Sequence, residues 1–147
     1  MSYWDTSALV KLYVQETDAA QFEALALTAS VATGAIALHE ARTVFRRREA
    51  EGVIPAGEGA ALFQRLTSHA ALGRVRVQPE TDAVSRELGA ILEKCFSQVP
   101  PVFLRTNDAL HLASAKVAGE TVFVTADARQ RAAAVLLGFT VLPQPVA

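Results

Sequence analysis

Short apolar runs alternate with longer helical segments along the whole chain, and this alternation limits the fold more than any other feature of the sequence. Thr121–Thr125 reads Thr-Val-Phe-Val-Thr, an uncharged run of strand length. Ser2–Trp4, which ends at Asp5, has the same short β-rich character, as do Val75–Gln78 and Thr140–Leu142. Ser30–Ile36 adds a weaker β-like run. Helical signals fill the intervals. Ser7–Val14 and Asp18–Ala29 are expected helices, Ala37–Glu51 is another ended by Gly52, and Pro55 opens one that runs to about Ala71. Three more follow: Thr81–Cys95 with Thr81 as N-cap, Asn107–Ala118 capped by Thr106 and closed by Gly119, and Ala128–Leu137 ended by Gly138. Phe96–Arg105, which contains Pro100 and Pro101, reads as a loop. Strands and helices in this order imply βαβ units, hence an α/β fold whose parallel sheet is covered on both faces. Val122–Val124 suits a central strand, because parallel strands are buried on both sides.

With 147 residues, 51% of them hydrophobic, the chain is expected to form one domain over residues 1–147 with a full core. A single cysteine, Cys95, excludes a disulfide framework within the chain and fits a reducing, cytoplasmic setting. No basic segment precedes an apolar run at Met-Ser-Tyr-Trp-Asp, so no secretory signal is expected. The longest uncharged stretch, Ala24–Leu38, has 15 residues and is broken by Thr28, Ser30, Thr33 and Gly34. A membrane span needs about 20 mostly apolar residues, so none is expected. The net charge of −1 means that attraction for nucleic acid has to be local. Eleven arginines stand against three lysines, and Arg42, Arg46, Arg47 and Arg48 share one short segment. The planar guanidinium fork suits phosphate, although a solvated helix face is the plainer reading.

Three of the five aspartates occupy comparable positions. Asp5 and Asp127 each follow a strand and precede a helix, and Asp108 lies in the first turn of its helix. Glu40 lies near the start of another. Ligands of an open parallel sheet bind outside the carboxyl ends of the strands, and all four acids can face that crevice. Singly, Asp127 is explained as a helix cap, and Asp108 and Glu40 as favourable charges at positive helix ends. Asp5 is harder to dismiss, because it ends an apolar strand at the middle of the sheet and a charge there needs partners. Several carboxylates in one crevice raise one another's pKa. No lysine or arginine adjoins Asp5, Asp108 or Glu40 in sequence, the nearest being Arg42 two residues from Glu40. A hard divalent cation such as Mg²⁺ or Mn²⁺ relieves that repulsion with oxygen ligands. Cys95, His39, His69 and His111 are scattered, so no zinc pattern competes. Held by carboxylates, such a cation activates water against a phosphodiester. The chain has no nucleophile motif and no glycine-rich phosphate loop, so hydrolysis is the simplest chemistry left.

These residues also resemble a known family. Asp5-Thr6-Ser7-Ala8-Leu9-Val10-Lys11-Leu12-Tyr13 is similar to the opening of a PIN-domain ribonuclease, and specifically of the VapC-type toxins of toxin–antitoxin pairs. His39-Glu40-Ala41-Arg42 resembles the second acidic motif, Asn107-Asp108-Ala109-Leu110-His111-Leu112-Ala113 the third, and Val124-Thr125-Ala126-Asp127 the fourth. The first and third are quite specific, whereas Gly52–Arg105 matches no motif. The resemblance implies a three-layer α/β/α fold around a mostly parallel sheet of about five strands. It also implies a Mg²⁺- or Mn²⁺-dependent endoribonuclease that acts as a toxin. Asp5 and Asp108 become the principal metal ligands, and Glu40 and Asp127 complete the cluster directly or through water. Thr6, Ser7 and Thr125 orient the acids, a role that stands level with simple capping or turn formation. The partners implied are RNA, a small antitoxin whose C-terminal segment lies over the groove, and a second copy in a homodimer. Gln130 departs from the pattern, since relatives carry an apolar residue there.

Other residues carry less. His111 shares a helix face with Asp108 and reads first as a half-buried structural histidine, second as an acid or base. His39 and His69 read as surface residues. Arg47 lies two turns beyond Glu40, about 10 Å along the axis, and reads equally as a phosphate contact or an exposed arginine. Arg129 and Arg131 flank Asp127 and suit contact with RNA or a partner's acidic tail. Trp4, Phe22, Phe45, Phe63, Phe123 and Phe139 read as core. A non-catalytic PIN-like domain that binds RNA or protein is the alternative function. A phospho-receiver is a poorer one, because it needs a lysine after the last strands and Lys11, Lys94 and Lys116 all precede Thr121.

Overall fold

The structure is a computed structural model and describes residues 1–145. Five strands form one sheet: β1 (Ser2–Trp4), β2 (Val31–Gly34), β3 (Val75–Gln78), β4 (Val122–Val124) and β5 (Thr140–Leu142). They lie in the order β3-β2-β1-β4-β5, and every neighbouring pair is parallel. From β1 the chain builds outward through β2 and β3, then returns to add β4 and β5 on the other side. The strand order therefore reverses between β1 and β4, which is where an open parallel sheet leaves a crevice at its carboxyl edge. Asp5 follows β1 and Asp127 follows β4, one on each side of that crevice.

The helices are α1 (Thr6–Leu9), α2 (Ala19–Ala26), α3 (Ala35–Ala50), α4 (Glu58–Ala71), α5 (Asp82–Phe96), α6 (Thr106–Val117) and α7 (Ala128–Leu136), and a 3₁₀ turn at Val10–Leu12 extends α1. Side chains alternate across a strand, so neighbours in β1 serve opposite layers. Tyr3 packs with Phe123 and Val141, beneath Ile91 of α5, Leu112 of α6 and Ala133 of α7. Trp4 packs with Val31, Val75 and Val124, beneath Leu9, Phe22 of α2, Phe45 of α3 and Leu66 of α4. Two apolar cores thus sandwich the sheet, as the α/β/α expectation requires. Each fully buried large side chain contributes about 1.5–3 kcal/mol. Among the described residues no helix is long and apolar enough to cross a membrane.

The starts of α1, α4 and α6 differ from expectation, each for a local reason, and α3 begins two residues earlier than expected, at Ala35. The first helix begins at Thr6, because the Asp5 side chain caps it by accepting the Ala8 N–H, and it tightens into the 3₁₀ turn rather than running to Val14. Pro55 lies outside α4. Its carbonyl accepts from Glu58 N (3.1 Å), and Gly57 at φ 87° is the N-cap, a left-handed conformation that favours glycine. Thr106 is the first residue of α6 rather than its cap. Arg105 takes the cap position, and Asp108 three residues on reaches back to the Arg105 backbone N–H. Thr81 does cap α5 through Val84 N, as expected.

Gly34 joins β2 to α3, the helix that carries Glu40. A Cβ there would sit 2.6 Å from the Tyr3 hydroxyl and 3.1 Å from Ser114 Oγ. Gly34→Ala is expected to cost about 1–3 kcal/mol by overpacking. Denaturant unfolding measures this, and an unchanged midpoint would show that the junction has room.

Candidate active site

Asp5 leaves β1 at the centre of the sheet, its backbone N–H donating to Val124 O (3.2 Å) and its side chain buried. Oδ1 accepts from Ser7 Oγ (2.6 Å) and Ala8 N (3.1 Å), and Oδ2 accepts from Thr125 Oγ1 (2.5 Å). The two hydroxyls also accept from the turn after β4, Ser7 Oγ from Ala126 N (2.9 Å) and Thr125 Oγ1 from Asp127 N (3.0 Å). Ser7 and Thr125 therefore orient Asp5 and lace the ends of β1 and β4 together. Burial pushes the Asp5 carboxyl pKa upward, against the electrostatic influence of the nearby His111 ring and the hydrogen bonds from Ser7, Thr125 and Ala8. An ionised Asp5 is thus held in shape but poorly solvated, the condition that favours a nearby cation.

Glu40 projects from α3 toward the same edge. Its Oε1 accepts from Thr6 Oγ1 (2.7 Å) and contacts His111 Nε2 (2.6 Å), and its Oε2 accepts from Asn107 Nδ2 (3.4 Å). Burial alone would raise the Glu40 pKa, but the hydrogen bonds from His111, Thr6 and Asn107 outweigh it and hold the carboxyl below its ordinary value. His111 is fully buried rather than half-buried, with Nδ1 2.8 Å from the Tyr3 hydroxyl. An imidazole that accepts the Tyr3 O–H at Nδ1 and donates Nε2–H to Glu40 satisfies every partner. Tyr3, whose own pKa is raised by burial, read only as a strand residue in the sequence. No local signal marks the hydroxyl, because its partner is far along the chain.

Asp108 and Asp127 are joined by a residue the sequence reading passed over. Arg105 Nε and backbone N each donate to Asp108 Oδ2 at 3.3 Å, and Nη2 lies 3.8 Å from Asp127 Oδ2. Its pKa is pushed up by the hydrogen bond to Asp108 and then by the charges of Asp108, Asp127 and Glu40, so this exposed guanidinium faces three acids. The acids have no cationic neighbour in sequence, but one helical turn supplies one in space. Asp127 also caps α7, Oδ1 accepting from Arg129 N (2.8 Å) and Gln130 N (3.2 Å). Capping uses one oxygen and leaves Oδ2 toward Arg105, so the two roles coexist. Gln130 is buried, and its Nε2 donates to Asp108 O (3.1 Å), tying α7 to the start of α6.

The four acids therefore stand at one edge of the sheet, linked through Thr6, Ser7, Thr125, Asn107 and Arg105. Glu40, Arg105, Thr106 and Asn107 line a pocket of about 310 Å³. Among the described residues, no three His, Cys, Asp or Glu side chains converge closely enough to hold a metal ion in this arrangement. Arg129 is exposed at the start of α7, and Arg47 is exposed on α3. His69 is more than a surface residue, since its Nδ1 lies 2.6 Å from the Tyr13 hydroxyl.

A carboxyl that binds its proton more tightly folded than unfolded lets the native state hold more protons, so stability falls as pH rises. For Asp5 without a cation, that loss begins near the ordinary value of 3.8 and is complete above the raised folded value. Glu40 contributes the opposite slope, stability that is lost only as pH falls through its lowered value. Relative to Asp5→Asn, the unsubstituted chain in chelator is expected to lose stability between about pH 3, below the ordinary value, and about pH 8. Chemical denaturation at both pH values measures the difference, and an identical gap at each would contradict the cost assigned to the Asp5 charge.

Residues 2–136 match the family model described as the PIN domain. No curated protein matches the chain by sequence. Among solved structures, FitAcB from Neisseria gonorrhoeae superposes with a TM-score of 0.73 at 18% identity, covering 97% of each chain. VapC20 of Mycobacterium tuberculosis, a Sarcin-Ricin loop cleaving toxin, gives 0.67 at 19% identity, over 90% of this chain and 95% of that one. VapBC2 from Rickettsia felis, bound to a DNA fragment from its promoter, gives 0.66 at 14% identity, over 96% and 97%. At these identities the structural likeness speaks for the fold.

Proposed function

Because this chain belongs to the PIN-domain family, we propose that it is a Mg²⁺- or Mn²⁺-dependent endoribonuclease and the toxin of a toxin–antitoxin pair. The observation that carries this reading is the buried carboxyl of Asp5, fixed by three hydrogen bonds at the sheet edge that also carries Glu40, Asp108 and Asp127. The donor set is all oxygen, which fits a hard cation, with Asp5 and Asp108 as principal ligands and Glu40 and Asp127 completing the site directly or through water. When bound, such an ion supplies an activated water and charge stabilisation at the scissile phosphate. The chain's own residues do the rest. Ser7 and Thr125 fix the Asp5 oxygens, and Thr6 and His111 fix the Glu40 carboxylate. Arg105 balances the charges of Asp108 and Asp127. VapC20, a Sarcin-Ricin loop cleaving toxin, and FitAB and VapBC2, each bound to a DNA fragment, lend support as folds of the same design. A small antitoxin, a homodimer and a cytoplasmic setting belong to the same proposal.

RNA cleavage by the purified chain is expected to require Mg²⁺ or Mn²⁺ and to stop with chelator. Asp5→Asn should lower the rate by about 100-fold or more, and His111→Ala, which frees Glu40 and the Tyr3 hydroxyl, by about 10–100-fold. An Asp5→Asn protein that cleaves at the unsubstituted rate would sink the proposal and favour a non-catalytic RNA- or protein-binding domain. Calorimetry of Mn²⁺ binding tests Arg105 separately. Arg105→Gln removes one positive charge from the acids and should tighten Mn²⁺ by about fivefold. Weaker binding would show that Arg105 instead organises the site.

A further inference from the structure

The four clustered arginines of α3 separate in the structure. Arg48 pairs with Glu16 (2.9 Å) and Glu51 (3.1 Å) and belongs to the fold. Arg46 meets Glu49 at 2.5 Å yet stays 71% exposed. Arg42 and Arg47 are exposed, and among the described residues neither forms an ion pair. Arg42, Arg46 and Arg47 line an open groove of about 1020 Å³ between α3 and α4, together with Phe63, Gln64 and Thr67. The helices meet at Gly59, where an added Cβ would sit 3.1 Å from Phe45 O. Phe63, expected in the core, is only half-buried. Its ring forms part of the groove, and the Arg42 guanidinium lies 5.0 Å over it.

The groove thus gathers three guanidinium groups on one wall of a chain of net charge −1. Glu49, which pairs with Arg46 through Oε2, uses Oε1 to accept the backbone N–H groups of Gly57 (2.7 Å) and Gly59 (3.1 Å). Such a surface calls for an anionic occupant. A guanidinium placed over an aromatic ring offers a cationic plane beside a π-face, and bases stack on both kinds of surface. The same helix carries Glu40, two residues before Arg42 and two turns before Arg47, the latter about 10 Å along the axis. The geometry points to this groove as the subsite for single-stranded RNA flanking the scissile bond, with Arg42, Arg46 and Arg47 on its phosphates and the Arg42–Phe63 stack on one base. This rests on the ribonuclease reading of the acids. An acidic peptide would use the charges and leave the stacked pair idle, so RNA is the better fit.

The test uses Asp5→Asn chain, so that bound RNA stays intact, and fluorescence anisotropy of a short fluorescein-labelled single-stranded RNA across a range of KCl. Arg42→Ala with Arg47→Ala is expected to weaken binding roughly tenfold and to reduce the log–log salt slope by about 1.4, the value for two phosphate contacts on a single strand. Arg42→Lys with Arg47→Lys keeps the charges, so the slope should hold while affinity drops with the lost stacking. Circular dichroism checks the fold of each, and the lysine pair stands alone if the alanine pair does not fold. Unchanged affinity and slope in these variants overturn the subsite. Loss of binding to poly-glutamate with unchanged RNA binding assigns the groove to an acidic peptide and overturns it as well. Cleavage by the Asp5-intact chain is measured alongside. RNA binding that depends on the arginines, without metal-dependent cleavage, overturns the ribonuclease reading and leaves an RNA groove standing.

Discussion

The contact on which the site depends is the hydrogen bond from Thr125 to the buried Asp5 carboxylate. It joins the carboxyl ends of β1 and β4, adjacent strands whose turns come from opposite ends of the chain. The sheet's change of direction puts the crevice there. Two short strands would leave that edge loosely tied, but Ser7 and Thr125 bind the following turn to the same carboxylate. A charge that is costly to bury thus becomes a clamp between the two strand ends.

The acids are balanced in three different ways. Asp5 relies on hydroxyls and one backbone N–H, Glu40 on His111, Thr6 and Asn107, and Asp108 with Asp127 on the guanidinium of Arg105. The third arrangement faces water most openly, because Arg105 is 64% exposed while Thr6, Thr125 and His111 are buried.

Much of the architecture was legible from residue pattern. The uncharged run around Val122–Val124, the acids placed after strands and the glycines that end helices all mark their elements locally. Those signals placed Asp5, Glu40, Asp108 and Asp127 at one sheet edge. Boundaries were less legible where side chains compete. Asp5 and Asp108 draw the starts of α1 and α6 to new positions, and Gly57 overrides Pro55. Contacts made across the fold were not legible at all. Nothing local in Tyr3 points to His111, nothing in Arg105 to Asp127, and Phe63 looks like any core aromatic until α3 and α4 open a groove beside it.

Tyr3 serves two purposes at once. Its ring stacks on Phe123 at 5.3 Å inside one core, while its hydroxyl sets the imidazole that holds Glu40. Trp4, one residue on, faces the other core, and its indole N–H stops at Ser2. The two halves of the molecule are therefore unequal in their freedom to drift. Repacking around Trp4 stays within its own layer, whereas repacking around Tyr3 and Phe123 swings a hydroxyl at the back of the site. Over evolutionary time, substitutions should accumulate more slowly in the layer beneath α5, α6 and α7 than in the layer beneath α1 to α4.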